Sequence, residues 1–303
     1  MVTADELRDR LRAVPAPSLV GVGDDVLDCY LHEDLAYPGG NALNVAAYSR
    51  LFFGGESAFL GILGDDRFAD HLADVLTTLG VDLEQVRRVH GSNGMAFVAL
   101  DDDGDRHFVG SNWGGVQRGL RLRLHERDLD YVSGFTRLHT SVYSCVEAEL
   151  AAIAERGVGI SFDFGDRVPG GLVEQVATHV EVGFFSGGGL PEAEVQDLGR
   201  YAVACGIEHA VVTLGARGSW GFTREGCMYA GIIDTDAVDA LGAGDAFVTG
   251  YLAALAAGND MAACLGTAAA SGALACTYRG AFGYPVEAGE DARAQLLRRF
   301  DAP

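Results

Sequence analysis

The second half of the chain alternates regularly between apolar strand segments and helical segments, and this alternation restricts the fold more than any other feature. The strand candidates cover residues 136–143, 158–164, 180–186 and 210–215, and the helical stretches between them cover 147–156, 171–179 and 192–205. Strands separated by helices pair in parallel, because each helix returns the chain to the same end of the sheet. We therefore predict a three-layer α/β/α fold with a mostly parallel central sheet covered on both faces.

Two further segments with strand character, at about 29–38 and 92–112, stand apart from this alternation. They predict a small β-sheet that covers part of the molecule as a lid. We expect one domain over residues 1–303, because no repeat or low-complexity linker divides the chain. Ligands of open α/β sheets bind beyond the carboxyl ends of the strands, so the glycine-rich turns after these strands predict a single cleft.

The chain is acidic and contains no lysine: its formal net charge is −21, and all 22 basic residues are arginine. We therefore expect neither nucleic acid nor an anionic membrane as a partner. Schiff-base chemistry and lysine-anchored pyridoxal phosphate are excluded, and so is a P-loop, which needs its lysine at the β- and γ-phosphates. A bound phosphate would have to be held by backbone N–H groups, arginine and metal.

The six cysteines form no C-x-x-C pair, and the charged opening "MVTADELRDRLRAVPAPS" is unlike a signal peptide. We expect free thiols in a reducing cytoplasm. The most apolar stretches, 246–257 and 261–276, are too short or too rich in Gly, Ser and Thr to span a membrane.

The segment "DALGAGDAF", residues 239–247, places a carboxylate directly behind two glycines. Gly242, Ala243 and Gly244 leave backbone N–H groups uncovered, and a helix that starts there directs its positive end at the same point. Such a turn binds anions, yet Asp245 is itself an anion. The two are compatible if a ligand brings cations or if Asp245 takes up a proton.

Three other segments of the chain contain glycine motifs. "GVGDDV" at 21–26 has Val26 where a dinucleotide fingerprint needs its third glycine, so we interpret it as a plain strand. "PGGNALN" at 38–44 and "TLGARG" at 213–218 are each, taken alone, typical of ordinary turns. Their order together with "GAGD" is the informative observation.

This combination resembles the ribokinase-like, or PfkB, family of carbohydrate kinases over nearly the whole chain. The family motifs are G-G-x-x-x-N, T-x-G-x-x-G and D-T-x-G-A-G-D, and the matching residues here are Gly39, Gly40 and Asn44; Thr213, Gly215 and Gly218; and Asp239, Gly242, Ala243, Gly244 and Asp245. The resemblance implies a kinase that transfers the γ-phosphoryl group of ATP, with Mg²⁺, to a sugar hydroxyl.

The resemblance also implies residue roles. Asp245 is the general base beside the sugar hydroxyl, where the anion hole should keep its pKa low, and the turn Gly242–Gly244 holds the transferring phosphoryl group. The implied sugar-binding residues are Asp28, Gly39, Gly40, Asn41 and Asn44. The implied nucleotide-binding residues are Thr213, Gly215, Gly218 and Asp239.

The segments "GDDVLDCY" and "PGGNALNVAAYSR" are most similar to family members that phosphorylate fructoselysine. The resemblance thus implies a small-molecule sugar or fructosamine as acceptor. A fructosamine needs a carboxylate for its amine, and this acidic chain offers several, including Glu33 and Asp34 of the lid; each of the two, taken singly, is more typical of a solvated lid edge. A homodimer formed through the lid is the assembly we consider. Two alternatives stay open: a kinase for another sugar or a nucleoside, and a catalytically idle sugar- or nucleotide-binding protein on the same fold.

The chain departs from the family pattern in the turns expected near the phosphates. Asp239-Ala240 replaces Asp-Thr, and "SGGG" at 186–189 lacks both residues of the N-x-x-E motif that helps organise Mg²⁺. Arg167 in "DFGDR" is interpreted either as a phosphate ligand or as a solvated arginine. The triplet Asp101–Asp103 is typical of a solvated hairpin turn, and the eight histidines lack ligand spacing, so no protein-built metal site is predicted.

Overall fold

The computed structural model follows the predicted alternation of strands and helices. It describes residues 1–100, 106–166, 168 and 170–298; the segment Asp101–Asp103 and Arg167 lie outside these residues. The strands are β1 Ser18–Gly23, β2 Val26–Tyr30, β3 Leu35–Gly39, β4 Glu56–Leu63, β5 Arg87–Arg88, β6 Met95–Leu100, β7 Arg106–Ser111, β8 Arg137–Ser141, β9 Gly159–Asp163, β10 Val182–Ser186, β11 His209–Thr213, β12 Ser219–Thr223, β13 Gly226–Ala230 and β14 Val286–Glu287. The helices are α1 Ala4–Arg12, α2 Asn41–Phe53, α3 Arg67–Leu79, α4 Glu126–Val132, α5 Leu150–Ala154, α6 Leu172–Val176, α7 Glu192–Cys205, α8 Ala243–Ala256, α9 Met261–Ala275 and α10 Gly289–Arg298.

Nine of the described strands form the central sheet, in the order β13-β12-β11-β10-β9-β8-β1-β4-β5. All neighbouring pairs from β11 to β5 are parallel, whereas β11–β12 and β12–β13 are antiparallel. The prediction of a mostly parallel central sheet is confirmed. Because parallel strands share one carboxyl end, the turns after β1, β8, β9, β10 and β11 open on the same side of the molecule.

Both faces of the central sheet are buried, as side chains of β1 illustrate. Val20 and Val22 belong to the hydrophobic cluster formed with α4, α5, α6 and α7, and Leu19 belongs to the cluster formed with α8 and α9. Alternate residues of a strand point to opposite faces, so one strand supplies both clusters. This arrangement confirms the three-layer α/β/α prediction.

Helix α2 lies directly against β1 because Gly21 has no side chain. A Cβ at Gly21 would be 2.1 Å from the carbonyl oxygen of Ala42, far inside van der Waals contact. The close approach brings the first residue of α2, Asn41, to the carboxyl end of the sheet. Asn41 thereby reaches the turns that follow the parallel strands.

A second, five-stranded sheet has the order β14-β3-β2-β6-β7. Its strands overlap the predicted lid segments, but the sheet begins earlier, at Val26, and gains β14 from near the end of the chain. Asp28, one of the predicted sugar-binding residues, lies inside β2, opposite Tyr37 of β3. In the described part of the chain, no helix has both the length and the apolar character required to cross a membrane.

Candidate active site

The amino end of α8 is open toward ligands. Its N-cap, Gly242, has φ +73°, and a Cβ there would be 2.6 Å from the Tyr48 hydroxyl oxygen and from the Ala281 Cβ, so a side chain is not tolerated. No side chain caps the helix. At Gly244 an added Cβ would meet open space. The first-turn N–H groups and the positive end of the helix are therefore available to an anion.

Two amides from the first turn of α2 hold Asp245. Asn41 Nδ2 donates to Asp245 Oδ1 at 2.8 Å, and Asn44 Nδ2 donates to Asp245 Oδ2 at 2.6 Å. The other side-chain atom of Asn44, Oδ1, is buried without a hydrogen-bond partner in the described part of the chain. Such an atom is costly unless a ligand donates to it.

The pKa of Asp245 is raised well above its ordinary value, which makes the expectation of a low pKa wrong for the protein alone. Burial is the main cause, and the nearby carboxylates of Asp163 and Asp24 add to it. The hydrogen bonds from Asn44 and Asn41 act in the opposite direction but do not compensate. With no lysine in the chain, no ammonium group offsets this cluster of acids.

Asp28 is a second buried carboxylate in this region, and it is 5% exposed. Burial and the charge of Asp239 raise its pKa to about 7, and no hydrogen bond contributes to lowering it. Gly39 leaves room for this group, since a Cβ at Gly39 would be 2.1 Å from Asp28 Oδ2. Gly40 has φ +104°, and a Cβ added there would lie 2.6 Å from Asp25 Cα, so only glycine fits at this position.

Asp24 was not singled out from the sequence, although it organises the start of α2. Its Oδ2 accepts the Asn41 backbone N–H at 2.6 Å, and its Oδ1 accepts the hydroxyls of Ser141 (2.9 Å) and Ser144 (2.7 Å). Its position directly after the apolar strand β1 was the available signal. The two serines are more than 100 residues away in sequence, so their pairing with Asp24 was not predictable.

These groups line a cavity of about 790 Å³ between the two sheets, whose wall includes Asp28, Asn44, Asp163, Asp245 and Gly40. We call it the polar cavity because its wall carries these carboxylate and amide groups. The segment after β7 supplies another part of the wall, including Trp113, Arg118 and Arg121. The structure thus brings four of the predicted sugar residues, Asp28, Gly40, Asn41 and Asn44, into one cavity with the predicted base Asp245; Gly39 does not line it.

A second cavity, of about 460 Å³ and mostly apolar, lies on the other side of the α8 amino end. Thr213, Gly215 and Gly218 line it, together with Phe247 and Cys276. Gly244 lines both cavities. The exposed N–H groups of α8 therefore stand at the junction between a polar and an apolar compartment.

Asp239 differs from the other predicted nucleotide-binding residues, because it lines neither cavity. Its Oδ2 accepts the Tyr30 hydroxyl at 2.7 Å and the Gly280 N–H at 3.0 Å, and its Oδ1 accepts the Leu241 N–H at 3.1 Å. The contacts tie the turn before α8 to strand β2. Asp239 thus stands behind that turn, and its predicted contact with the nucleotide stays a prediction.

Glu33 and Asp34, expected to face the acceptor's amine, do not line the polar cavity either. Glu33 forms an ion pair with Arg279 and accepts a hydrogen bond from the Tyr37 hydroxyl at 3.3 Å. The expectation failed because the pairing partner comes from a distant part of the chain, near β14.

Among the described residues, no three His, Cys, Asp or Glu side chains are grouped so as to hold a metal ion. The "SGGG" turn after β10 is instead bound by Arg217, whose guanidinium donates to the carbonyls of Gly188 (2.9 Å) and Leu190 (3.1 Å). Metal binding at this junction would therefore have to use ligand oxygens as well as protein groups.

Comparison with known proteins identifies the family. The profile described as "pfkB family carbohydrate kinase" matches residues 21–287. The chain belongs to the pfkB family of carbohydrate kinases. It is a phosphotransferase that acts on a hydroxyl of a carbohydrate, as the glycine motifs predicted.

Two curated relatives cover almost the same part of this family member. Fructosamine kinase FrlD of Bacillus subtilis (strain 168) is 41% identical over 266 residues, 88% of this chain and 93% of that protein. Fructoselysine 6-kinase of Escherichia coli (strain K12) is 30% identical over 271 residues, 88% of this chain and 99% of that protein.

Two solved structures of kinases share the fold. Arabidopsis thaliana ribokinase, complexed with ribose and ATP, has a TM-score of 0.73 at 23% identity and covers 95% of this chain and 100% of its own. Fructokinase from Vibrio cholerae O395, in a form bound to fructose, ADP and potassium ion, has a TM-score of 0.66 at 27% identity, covering 90% and 96%. The predicted ribokinase-like fold is confirmed.

Proposed function

We propose that this pfkB family kinase uses ATP with Mg²⁺ to phosphorylate a sugar hydroxyl of a fructosamine. The observation that carries the proposal is the junction at Gly244, where the polar and apolar cavities meet at the uncapped end of α8. A phosphoryl group passing between a nucleotide and a sugar needs such a junction. A helix N-terminus supplies the required positive field without a lysine.

The apolar cavity suits the nucleoside part of ATP, with Thr213, Gly215 and Gly218 along its wall. Mg²⁺ commonly keeps several waters and binds through one or two carboxylates together with substrate phosphates, so a protein cluster of three ligands is not required. We assign Asp163, a cavity carboxylate whose pKa burial raises to about 6, as the protein group that holds the ion. When bound, Mg²⁺ neutralises charge on the phosphates.

In the polar cavity, Asp245 accepts the proton of the reacting hydroxyl. Its raised pKa makes it a strong base that needs a nearby cation to be ionised at neutral pH. Asn44 Oδ1, which is buried and unpartnered in the described part of the chain, accepts a hydrogen bond from the sugar. Asp28 accepts hydrogen bonds from further hydroxyls, and the second sheet keeps water, a competing acceptor, away.

Arg118 and Arg121 indicate what the acceptor carries at the end away from the reacting hydroxyl. Both are exposed and line the polar cavity, and within the described residues neither forms an ion pair. The Arg118 guanidinium lies 5.7 Å from the centre of the Trp113 ring. A cavity with carboxylates and amides for a sugar and two unpaired guanidinium groups matches an acceptor that joins a sugar to an amino-acid carboxylate. The names of the relatives support the same class.

Three expectations, on domain organisation, cellular compartment and assembly, are made here as proposals. We propose that the whole chain works as one kinase unit, and that it acts in the cytoplasm. The six free cysteines agree with a reducing compartment. A homodimer through the second sheet stays a prediction.

The test is an acceptor panel with ATP and Mg²⁺, read as ADP release. Fructosylglycine, fructosylethanolamine, fructose, ribose and adenosine are compared by kcat/KM; fructosylethanolamine matches fructosylglycine in size but lacks its carboxylate. We expect fructosylglycine to lead, and Arg118→Gln to lower its kcat/KM by about 10-fold while leaving fructosylethanolamine unchanged. Arg127→Gln, which removes a surface partner of Glu84, is the control.

The panel distinguishes the alternatives. If ribose or adenosine has the highest kcat/KM, the fructosamine assignment is wrong and a kinase for another sugar or a nucleoside is favoured. If no member of the panel releases ADP, the idle binding protein is favoured.

A further inference from the structure

Asn41 uses its whole side chain within the protein. Its Nδ2 donates one hydrogen to Asp245 Oδ1 at 2.8 Å and the other to Asp163 Oδ2 at 2.9 Å. Its Oδ1 lies 2.7 Å from His139 Nε2. If the amide were rotated by 180°, its oxygen would face two carboxylates. The observed orientation therefore bridges Asp163 and Asp245 through one neutral group.

His139 is the group behind this amide. It lies on β8, is 0% exposed, and its Nδ1 is 2.8 Å from the Ser161 hydroxyl on β9. Because Asn41 Oδ1 can only accept, His139 Nε2 must carry the hydrogen, and Nδ1 then accepts from Ser161. Burial lowers the pKa of His139 to about 3, so the ring stays neutral over the working pH range.

We propose that His139 is a positioning residue for phosphoryl transfer: it holds Asn41 in the orientation that clamps Asp163 and Asp245, and so aims the base at the acceptor hydroxyl. The inference rests on the proposed role of Asp245. It adds a part that the glycine motifs do not contain, namely a hydrogen-bonded chain Ser161–His139–Asn41 running from inside the central sheet to the base.

A neutral chain suits this position better than a cation would. A charged histidine would donate from both ring nitrogens, and the Ser161 hydroxyl would then have to donate to the Leu138 carbonyl, 3.2 Å away, instead of to Nδ1. Because the chain is neutral, it directs the carboxylates without neutralising them. A cation bound together with the nucleotide would supply the positive charge that this chain of groups lacks.

Two variants of His139 separate positioning from packing. His139→Leu keeps an apolar body of similar volume but offers no N–H to Asn41; we expect kcat to fall about 10-fold or more. Without His139, Asn41 is no longer held with its N–H group directed at Asp245. Loss of that hydrogen bond raises the pKa of Asp245 further, so the acid limb of the kcat/KM profile should move to higher pH. His139→Gln can still present an amide N–H at the Nε2 position and should restore most of both properties. Affinity for ATP without Mg²⁺ should be unchanged, because His139 does not line the apolar cavity.

If His139→Leu keeps the parent's pH profile, His139 is only a packing residue and the proposal is wrong. The same conclusion follows if His139→Gln has a kcat and an acid limb no closer to the parent's than those of His139→Leu. Should His139→Leu not fold, Ser161→Ala serves as a milder variant and is expected to shift the acid limb in the same direction. An unshifted limb in that variant would equally overturn the proposal.

The tautomer is a readout that does not depend on activity. ¹H–¹⁵N NMR of the folded enzyme, with the signals of the eight histidines compared between the parent and His139→Gln, should give a neutral Nε2–H tautomer for His139 from pH 5 to 8. A neutral Nδ1–H tautomer would exclude the donated hydrogen bond. The measurement also separates the two claims: an active Asp245→Asn enzyme would remove the proposed base even where the His139 tautomer is as expected.

Discussion

At the scale of single residues, Asp28 lowers the stability of the folded protein at high pH, and we propose that it also binds the acceptor. It is a buried carboxylate to which no hydrogen bond in the described part of the chain contributes stabilisation, and burial raises its pKa from 3.8 to about 7. A folded-state pKa above the unfolded one means that the folded protein binds the proton more tightly. The associated stability is complete below pH 3.8 and is lost as the pH rises through about 7.

Asp28→Asn should therefore stabilise the enzyme at pH 8 while impairing it. We expect Tm to rise by a few degrees at pH 8 and to change little at pH 4, because the variant has no carboxylate to ionise. In the same protein kcat/KM for the best acceptor should fall at least about 10-fold, since hydrogen bonds to a charged acceptor are the stronger ones. Thermal unfolding at the two pH values and steady-state kinetics check both. An unchanged Tm at pH 8, or full activity, would contradict this account of Asp28.

The sequence alone predicted some of these residues and not others, for a physical reason. Asp245 and Asn44 follow glycine motifs whose spacing fixes a local turn, whereas Asp28, inside β2, was predicted from the family resemblance. Asp24 and His139 act through hydrogen bonds to partners about 100 residues away. Nothing in a local pattern records such a partner. Glu33 was misjudged for the same reason, because its partner Arg279 is 246 residues away.

At the scale of elements, the start of α8 carries the chemistry, and its two glycines have different tasks. Gly242 needs a left-handed backbone and has neighbours within 2.6 Å of an added Cβ, whereas at Gly244 the added Cβ meets open space. A side chain at Gly242 should disturb folding. A side chain at Gly244 should disturb only what binds there.

We therefore expect Gly244→Val to keep Tm within a few degrees of the parent and to weaken ATP·Mg²⁺ binding by about 10-fold or more, because the side chain occupies the space at the cavity junction. Gly242→Ala, the matched variant, should lower the stability by roughly 1–2 kcal/mol or more from the left-handed backbone alone. Titration calorimetry and thermal unfolding measure the two effects. Nucleotide affinity equal to the parent's in Gly244→Val would argue against a phosphate site at this turn.

Elements of the central sheet were predictable to within a few residues, because strands buried on both faces are continuous apolar runs ended by glycine or polar turns. The second sheet was predicted less completely. Its β14 has only two residues and pairs with β3 across some 250 positions of sequence. A two-residue strand has no periodicity, so only the tertiary contact defines it.

At the scale of the whole molecule, the absence of lysine leaves the anion-binding turn Gly242–Gly244 and the carboxylate of Asp245 behind it without an ammonium group between them. Asp24, Asp28, Asp163 and Asp245 line one cavity in a chain of net charge −21. The negative charge of such a cavity has to be balanced by a cation that comes with the ligand. In the proposed function, the nucleotide brings its metal to the junction, and the metal's charge makes an ionised base and a phosphate compatible.

The central claim is that Asp245 is the base at this junction, and Asp245→Asn tests it most directly. The variant keeps the size of the side chain and removes its ability to accept a proton. With the best acceptor of the panel and saturating ATP·Mg²⁺, we predict that kcat falls at least about 100-fold while the variant still folds and keeps a nucleotide affinity close to the parent's. Asp130→Asn, a surface carboxylate paired with Arg156, is the control and should leave kcat unchanged. Turnover of Asp245→Asn at the parent's rate would contradict the account.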